Sequence, residues 1–78
     1  MPKFYFDVYD GKQTTIDQDG IELAEVAQVS TFAVEALPDI ARELLPNGDH
    51  ATFSVTVRDH EGASIFKASL VLSAEWLT

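Results

Sequence analysis

At 78 residues, with no cysteine, thirteen acidic against five basic side chains and a formal net charge of −8, the chain is sized for a single domain, residues 1–78, without disulfides or thiolate metal sites. That charge opposes attraction to nucleic acid or anionic membrane, whose binding rests on neutralising phosphates, and no stretch approaches the roughly 18 apolar residues that a bilayer span needs. A composition free of cysteine fits a reducing, cytoplasmic setting.

The first residues, Met1-Pro2-Lys3-Phe4, lead straight into an aromatic stretch rather than into an apolar run before a small-residue cleavage site, so no signal peptide is expected. Phe4-Tyr5-Phe6-Asp7-Val8-Tyr9 alternates large apolar residues at period two and meets Asp10-Gly11, a strong hairpin signal; the pattern predicts a strand over residues 3–9 with a return over 12–17. The stretch Asp17-Gln18-Asp19-Gly20-Ile21-Glu22 then packs three carboxylates and a glycine into six residues.

From residue 23 to 45 the period changes. Val26, Ser30, Ala33, Leu37, Ile40 and Leu44 recur at steps of four and three, which predicts one amphipathic helix, ended by Pro46-Asn47-Gly48-Asp49. Pro38 removes a backbone donor and crowds the carbonyl of Val34, so a kink is expected there, with the break on the solvent side because Pro38 falls away from the stripe. Thr52 to Arg58 alternates again, breaks at Asp59-His60-Glu61-Gly62, and is followed by Ser64 to Ala74, rich in Ile, Phe, Leu and Val. Strands are expected over residues 51–58 and 64–74.

The expected fold is therefore α+β in the order ββαββ: a four-stranded antiparallel sheet with one long, Pro38-kinked helix packed on one face. Phe4, Phe6, Val8, Phe53, Val55, Val57, Phe66, Ala68, Leu70 and Leu72 face the helix, while Tyr5, Asp7, Tyr9, Ser54, Thr56, Arg58, Lys67, Ser69 and Val71 form the open face. A spatial order in which the first strand lies between the second and the third leaves the fourth at an edge.

An aromatic opening strand ending in Asp10-Gly11, followed by "DGIEL", "EALPDIARELLPNG" and "VRDHEG" at these spacings, resembles a family of small bacterial domains of unknown function. The likeness runs from about Phe4 to Leu72, and "IARELLP" with "VRD" is its most specific part. Where that family often has Pro and an acid at the helix start, this chain has Ala24-Glu25, a departure that touches capping rather than any site. The resemblance implies a single cytoplasmic domain and supplies no catalytic residue.

The acidic stretch invites a calcium reading, which its spacing rejects. With Gly20 at the loop's glycine position, Asp17 and Asp19 fall correctly, but Thr15 and Val26 stand where a first oxygen ligand and the bidentate glutamate belong. A turn at Asp19-Gly20 accounts for the residues better, with Glu22 and Glu25 complementing the positive end of the helix. His50 and His60 flank the third strand and would lie roughly 25 Å apart at about 3.3 Å per residue, too far to share a metal. No phosphate loop, nucleophile elbow or histidine-rich motif is present. Neither a metal, a cofactor nor catalysis is expected.

Two surfaces remain. Tyr5, Tyr9, Arg58 and Lys67 interleave aromatic and basic groups on the open face and, with Lys3, could gather three of the five positive charges there. That pattern motivates an alternative reading as a weak nucleic-acid or nucleotide binder, although the standard RNA-recognition signature is missing; pairing of Asp7 and Glu75 with Lys67 or Arg58 would remove it. The leading reading is a non-enzymatic interaction module that forms a homodimer, with an unidentified protein partner left open. Two copies would pair along the last strand into an eight-stranded sheet, where Lys67 is the only charge between Ala63 and Ala74 and Ser69, Val71, Trp76 and Leu77 would make the contacts.

Overall fold

The structure, a computed structural model, describes residues 2–44 and 50–78. In chain order it contains β1 (Lys3–Tyr9), β2 (Thr14–Thr15), β3 (Ile21–Glu22), α1 (Ala27–Leu44), β4 (His50–Arg58) and β5 (Ser64–Ser73). The class is α+β, with one helix and an antiparallel sheet of five strands. The spatial order is β2-β1-β4-β5, and β3 pairs with the same outer edge of β1 as β2 does.

The sheet thus has one strand more than the four expected, and the second strand is far shorter than residues 12–17. Its cause lies in the return segment. Val8 pairs with Thr15 and Phe4 with Ile21, so three residues of β1 stand opposite five of the returning chain. Two surplus residues cannot lie flat in a ladder, and the return bulges outward at Asp17–Gly20 between two short paired pieces. Glu22, expected near the helix start, instead belongs to β3 opposite Lys3.

The helix starts later than residue 23. Leu23 is buried, yet it lies before the helix and donates its backbone N–H to the carbonyl of Pro2. The amide of Glu25 is satisfied by Gln28 Oε1 at 3.0 Å, and the N–H groups of Gln28 and Val29 bond to the carbonyls of Glu25 and Val26 to open the first turn. Val26, expected to face the sheet, is 68% exposed because the helical path has not yet begun there. The buried side is Val29, Ala33, Leu37 and Ala41, with Ala36 and Ile40 half-buried beside them. Pro38 lies inside α1 on the exposed side, as does Val34, whose carbonyl Pro38 leaves without a donor; water can serve it there. The proposed stop at Pro46-Asn47-Gly48-Asp49, with Leu45, lies outside the described residues.

The core is the helix stripe set against the inner side of β4, where Phe53, Val55 and Val57 are buried, together with Phe4 and Leu23. Phe6, Val8, Phe66 and Ala68 pack around it from β1 and β5. Five pairs join β1 to β4, from Tyr5↔Arg58 to Tyr9↔Ser54, and nine join β4 to β5. Between Val57↔Phe66 and Arg58↔Ser64 the register shifts, with Ile65 as the extra residue of a bulge on β5. Among the described residues, no helix is long and apolar enough to cross a membrane.

Candidate functional site

The open face is organised by Arg58. Its position opposite Tyr5, one row along the sheet from Asp7↔Thr56, puts the guanidinium beside the Asp7 carboxylate. Nε donates to Asp7 Oδ2 at 2.6 Å and one terminal nitrogen to Asp7 Oδ1 at 3.0 Å, a bidentate pair. The same terminal nitrogen reaches the carbonyl of Asp17 at 3.1 Å, and the guanidinium carbon stands 5.1 Å from the centre of the Tyr5 ring. Arg58 therefore joins β4, β1 and the bulge of the return segment. Two of its three guanidinium nitrogens are thereby committed to the protein.

Asp17 completes the cluster from the other side. Its backbone N–H donates to Asp7 Oδ1, and its Oδ2 accepts the N–H of Phe6 at 3.0 Å, a donor on the outer edge of β1 where the bulge has carried the return strand away. Its Oδ1 accepts the N–H groups of Asp19 and Gly20. One side chain thus repairs the gap in the ladder and folds its own turn. Asp17 to Gly20 form a turn that leads into β3 at Ile21, and no group of three or more potential metal-ligating side chains occurs among the described residues.

The charges respond to this arrangement. Hydrogen bonding from Arg58 holds the Asp7 carboxyl below its ordinary range against the opposing effect of burial. For Asp17, burial pushes upward, but the N–H donors of Phe6, Gly20 and Asp19 together outweigh it and the net direction is down. Arg58 is raised above its ordinary value, chiefly by its hydrogen bonds to Asp7. The cluster is charged and mutually satisfied, and the buried side-chain polar atoms described all have partners.

Of the residues singled out on this face, only Tyr5 and Arg58 come together. Tyr9 lies at the far end of β1, opposite Ser54, and borders an open cleft of about 250 Å³ lined also by Asp10, Lys12 and His50. Lys67 sits on β5 opposite Thr56, exposed and without an ion-pair partner among the described residues. His50 opens β4 and His60 follows its end, so the histidines are kept apart by the length of the strand. The sequence pattern puts Asp7 among the acids able to pair with Arg58 or Lys67 but gives no sign of the Asp17 carbonyl that Arg58 also reaches. The available signal is that Asp7 and Arg58 alternate onto the same side of strands expected to be neighbours.

The second surface is the outer edge of β5. Its ten residues pair with β4 on one side, and no described strand pairs with the other. Lys67 is the single charge in the strand, and neither proline nor an acid interrupts it. Val71 is 67% exposed and Ile65 and Leu70 are also exposed. Past the strand end, Trp76 and Leu77 are almost fully exposed, at 90% and 88%, and Ser69 is exposed as well. Natural edge strands of this length are usually blunted by charge, proline, bulge or cover, because their unpaired amides and carbonyls invite another strand; here the bulge at Ile65 touches only the start of the strand, and residues 66–73 pair regularly with β4.

A family model described as "Domain of unknown function (DUF6894)" matches residues 3–71. No curated protein and no solved structure matches the chain.

Proposed function

This chain belongs to DUF6894, a family of domains of unknown function from which no specific biochemical activity follows, and from that premise we propose that it is a small, non-enzymatic interaction module that self-associates through the edge of β5. The observation that carries the reading is the open edge past the bulge at Ile65: a strand of ten residues with one charge and no proline, regularly paired with β4 over residues 66–73 and carrying exposed Leu70 and Val71. Pairing two such edges about a two-fold axis satisfies the free backbone groups on both and extends the sheet through the assembly. Added burial also suits a chain of 78 residues, since domains of this size have small cores and narrow stability margins. A cytoplasmic setting in a bacterial cell is part of the same proposal, supported by a composition without cysteine.

The non-enzymatic part of the proposal is supported by the state of the titratable groups. The perturbed carboxylates of the open face, Asp7 and Asp17, spend their oxygens on Arg58 and on backbone amides, which is the pattern of a structural ion cluster. The reading as a nucleic-acid or nucleotide binder loses its central cation by the same argument, because Arg58 is paired and the remaining open-face candidates, Tyr9 and Lys67, lie apart. Sedimentation equilibrium tests the self-association. A dimer at tens of micromolar is expected, and a monomer there would sink the proposal.

A further inference from the structure

We infer that the second copy docks in one register, with Val71 facing its own symmetry mate and the segment after β5 acting as an arm that lies along the partner. The inference rests on the edge-pairing proposed above and fixes what that reading leaves open.

Symmetry restricts the choice first. A two-fold axis that relates antiparallel neighbours in one sheet runs perpendicular to the sheet, so each residue faces one of the same parity and the axis passes midway between one residue and its own copy. Directly opposed side chains lie on the same face and close enough to interact, so charge and size select among the allowed registers.

Centring on Val71 opposes Leu70 to Leu72, Lys67 to Glu75, Phe66 to Trp76 and Ile65 to Leu77, each pair occurring twice. Lys67 is the only charge in β5 and Glu75 the only one after it. Both are exposed and lack ion-pair partners among the described residues. The same register gives Trp76 an aromatic neighbour on the helix side of the sheet, where Phe66 is half-buried, and gives Leu77 the exposed Ile65. Neighbouring registers lose these matches. Centring on Leu70 sets Lys67 against Ser73 and Glu75 against Ile65, whereas centring on Leu72 sets Lys67 against Leu77 and Glu75 against Ser69. Only the Val71 register opposes the two charges, and it does so while setting Trp76 against Phe66, the two aromatic side chains of the edge and tail.

The chain has no cysteine, so a single introduced thiol reports the register without background. Under mild oxidation Val71→Cys is expected to form a disulfide-linked dimer rapidly, because directly opposed residues stand about 4.5–5.5 Å apart at Cα, within disulfide range. Ser69→Cys is expected not to link, its mate lying four residues along the strand. Independently, Lys67→Glu or Glu75→Lys should weaken dimerisation roughly tenfold through two opposed like-charge pairs, and the double reversal should restore it. Circular dichroism establishes that each variant is folded. A dimer that links through Ser69→Cys but not Val71→Cys, or one indifferent to both charge reversals, overturns the register and leaves edge pairing intact. A wild-type chain that is monomeric by sedimentation overturns both.

Discussion

Arg58 and Asp7, 51 residues apart in the sequence, form the tightest side-chain pair on the open face, with Nε and Oδ2 separated by 2.6 Å. The carboxylate is nearly covered, at 9% exposure, while the guanidinium keeps about a quarter of its surface in water, at 27%. Tyr5 lies under the guanidinium and the Asp17 carbonyl receives its remaining reach. A contact of this kind locks the β1–β4 pairing at one end and fixes how the return segment sits on the sheet.

Acid should loosen that lock. Asp7 and Asp17 both hold their protons less tightly in the folded protein than ordinary aspartates do, so the unfolded chain takes up protons first as the pH falls. Their contribution is complete above the unfolded value, about 3.9, and is lost as the pH drops through the lower folded values. The melting temperature is expected to be flat near neutrality and to fall below about pH 4. Asp7→Asn should lower it at pH 7 and flatten the acid limb; an acid limb as steep as the wild type's would contradict the assignment.

Gly20 should resist substitution for two separate reasons. Its φ of 72° lies in the left-handed region, and an added Cβ would stand 2.8 Å from Lys3 Cγ and 3.0 Å from Tyr5 Cε2. The Lys3 stem can move aside, but the backbone strain cannot be relieved in the same way, so Gly20→Ala is expected to cost about 1–2 kcal/mol in urea denaturation. Gly62→Ala meets no neighbour at its φ of 89° and should cost the backbone term alone. Equal losses at the two sites would argue against the contact at Lys3 and Tyr5.

The helix phase can be read from a pair of valines three residues apart. Val29 is 2% exposed and Val26 68% exposed. Val29→Ala should therefore destabilise by about 2 kcal/mol, whereas Val26→Ala should fall within about 0.5 kcal/mol of the wild type. Chemical denaturation of the two variants side by side decides between this phase and a helix beginning at residue 23.

Calcium should leave the melting temperature unchanged. Each Asp17 carboxylate oxygen already accepts backbone N–H groups in the turn and in β1, so binding a cation would require giving those bonds up. A rise of several degrees at micromolar calcium, abolished by Asp17→Ala, would overturn the structural role assigned to this side chain.

Where alternation alone decides a strand, the sequence was informative. β1, β4 and β5 follow the period-two pattern within one residue of expectation, and the aspartate–glycine turns between them appear as read. The return segment was not legible in that way. Its break at Asp17 exists because a side chain takes over a backbone role, and periodicity carries no trace of that exchange; the spacing of Asp17 and Gly20 is its only local mark. The helix start was misplaced because Leu23 is buried without being helical, so an apolar residue in a loop lengthened the stripe. Alternation puts Arg58 on the open face, but its pairing depends on the β1–β4 register, a long-range relation that no local window contains.

The order of the sheet also bears on how the chain folds as it is made. β1 is synthesised before the other elements of the sheet, yet its long-range partner β4 follows only after α1, and the opposing residues Tyr5 and Arg58 are far apart in the sequence. A nascent chain emerging from the ribosome can form the small β1–β2–β3 return and the helix, but the central ladder must wait until β4 is free of the exit tunnel. Pairing at such sequence separations carries a large loop-closure cost before any contact rewards it. Folding is therefore set to be slower than that of a helical bundle of equal length, with the aromatic strand β1 waiting half-paired until β4 has emerged.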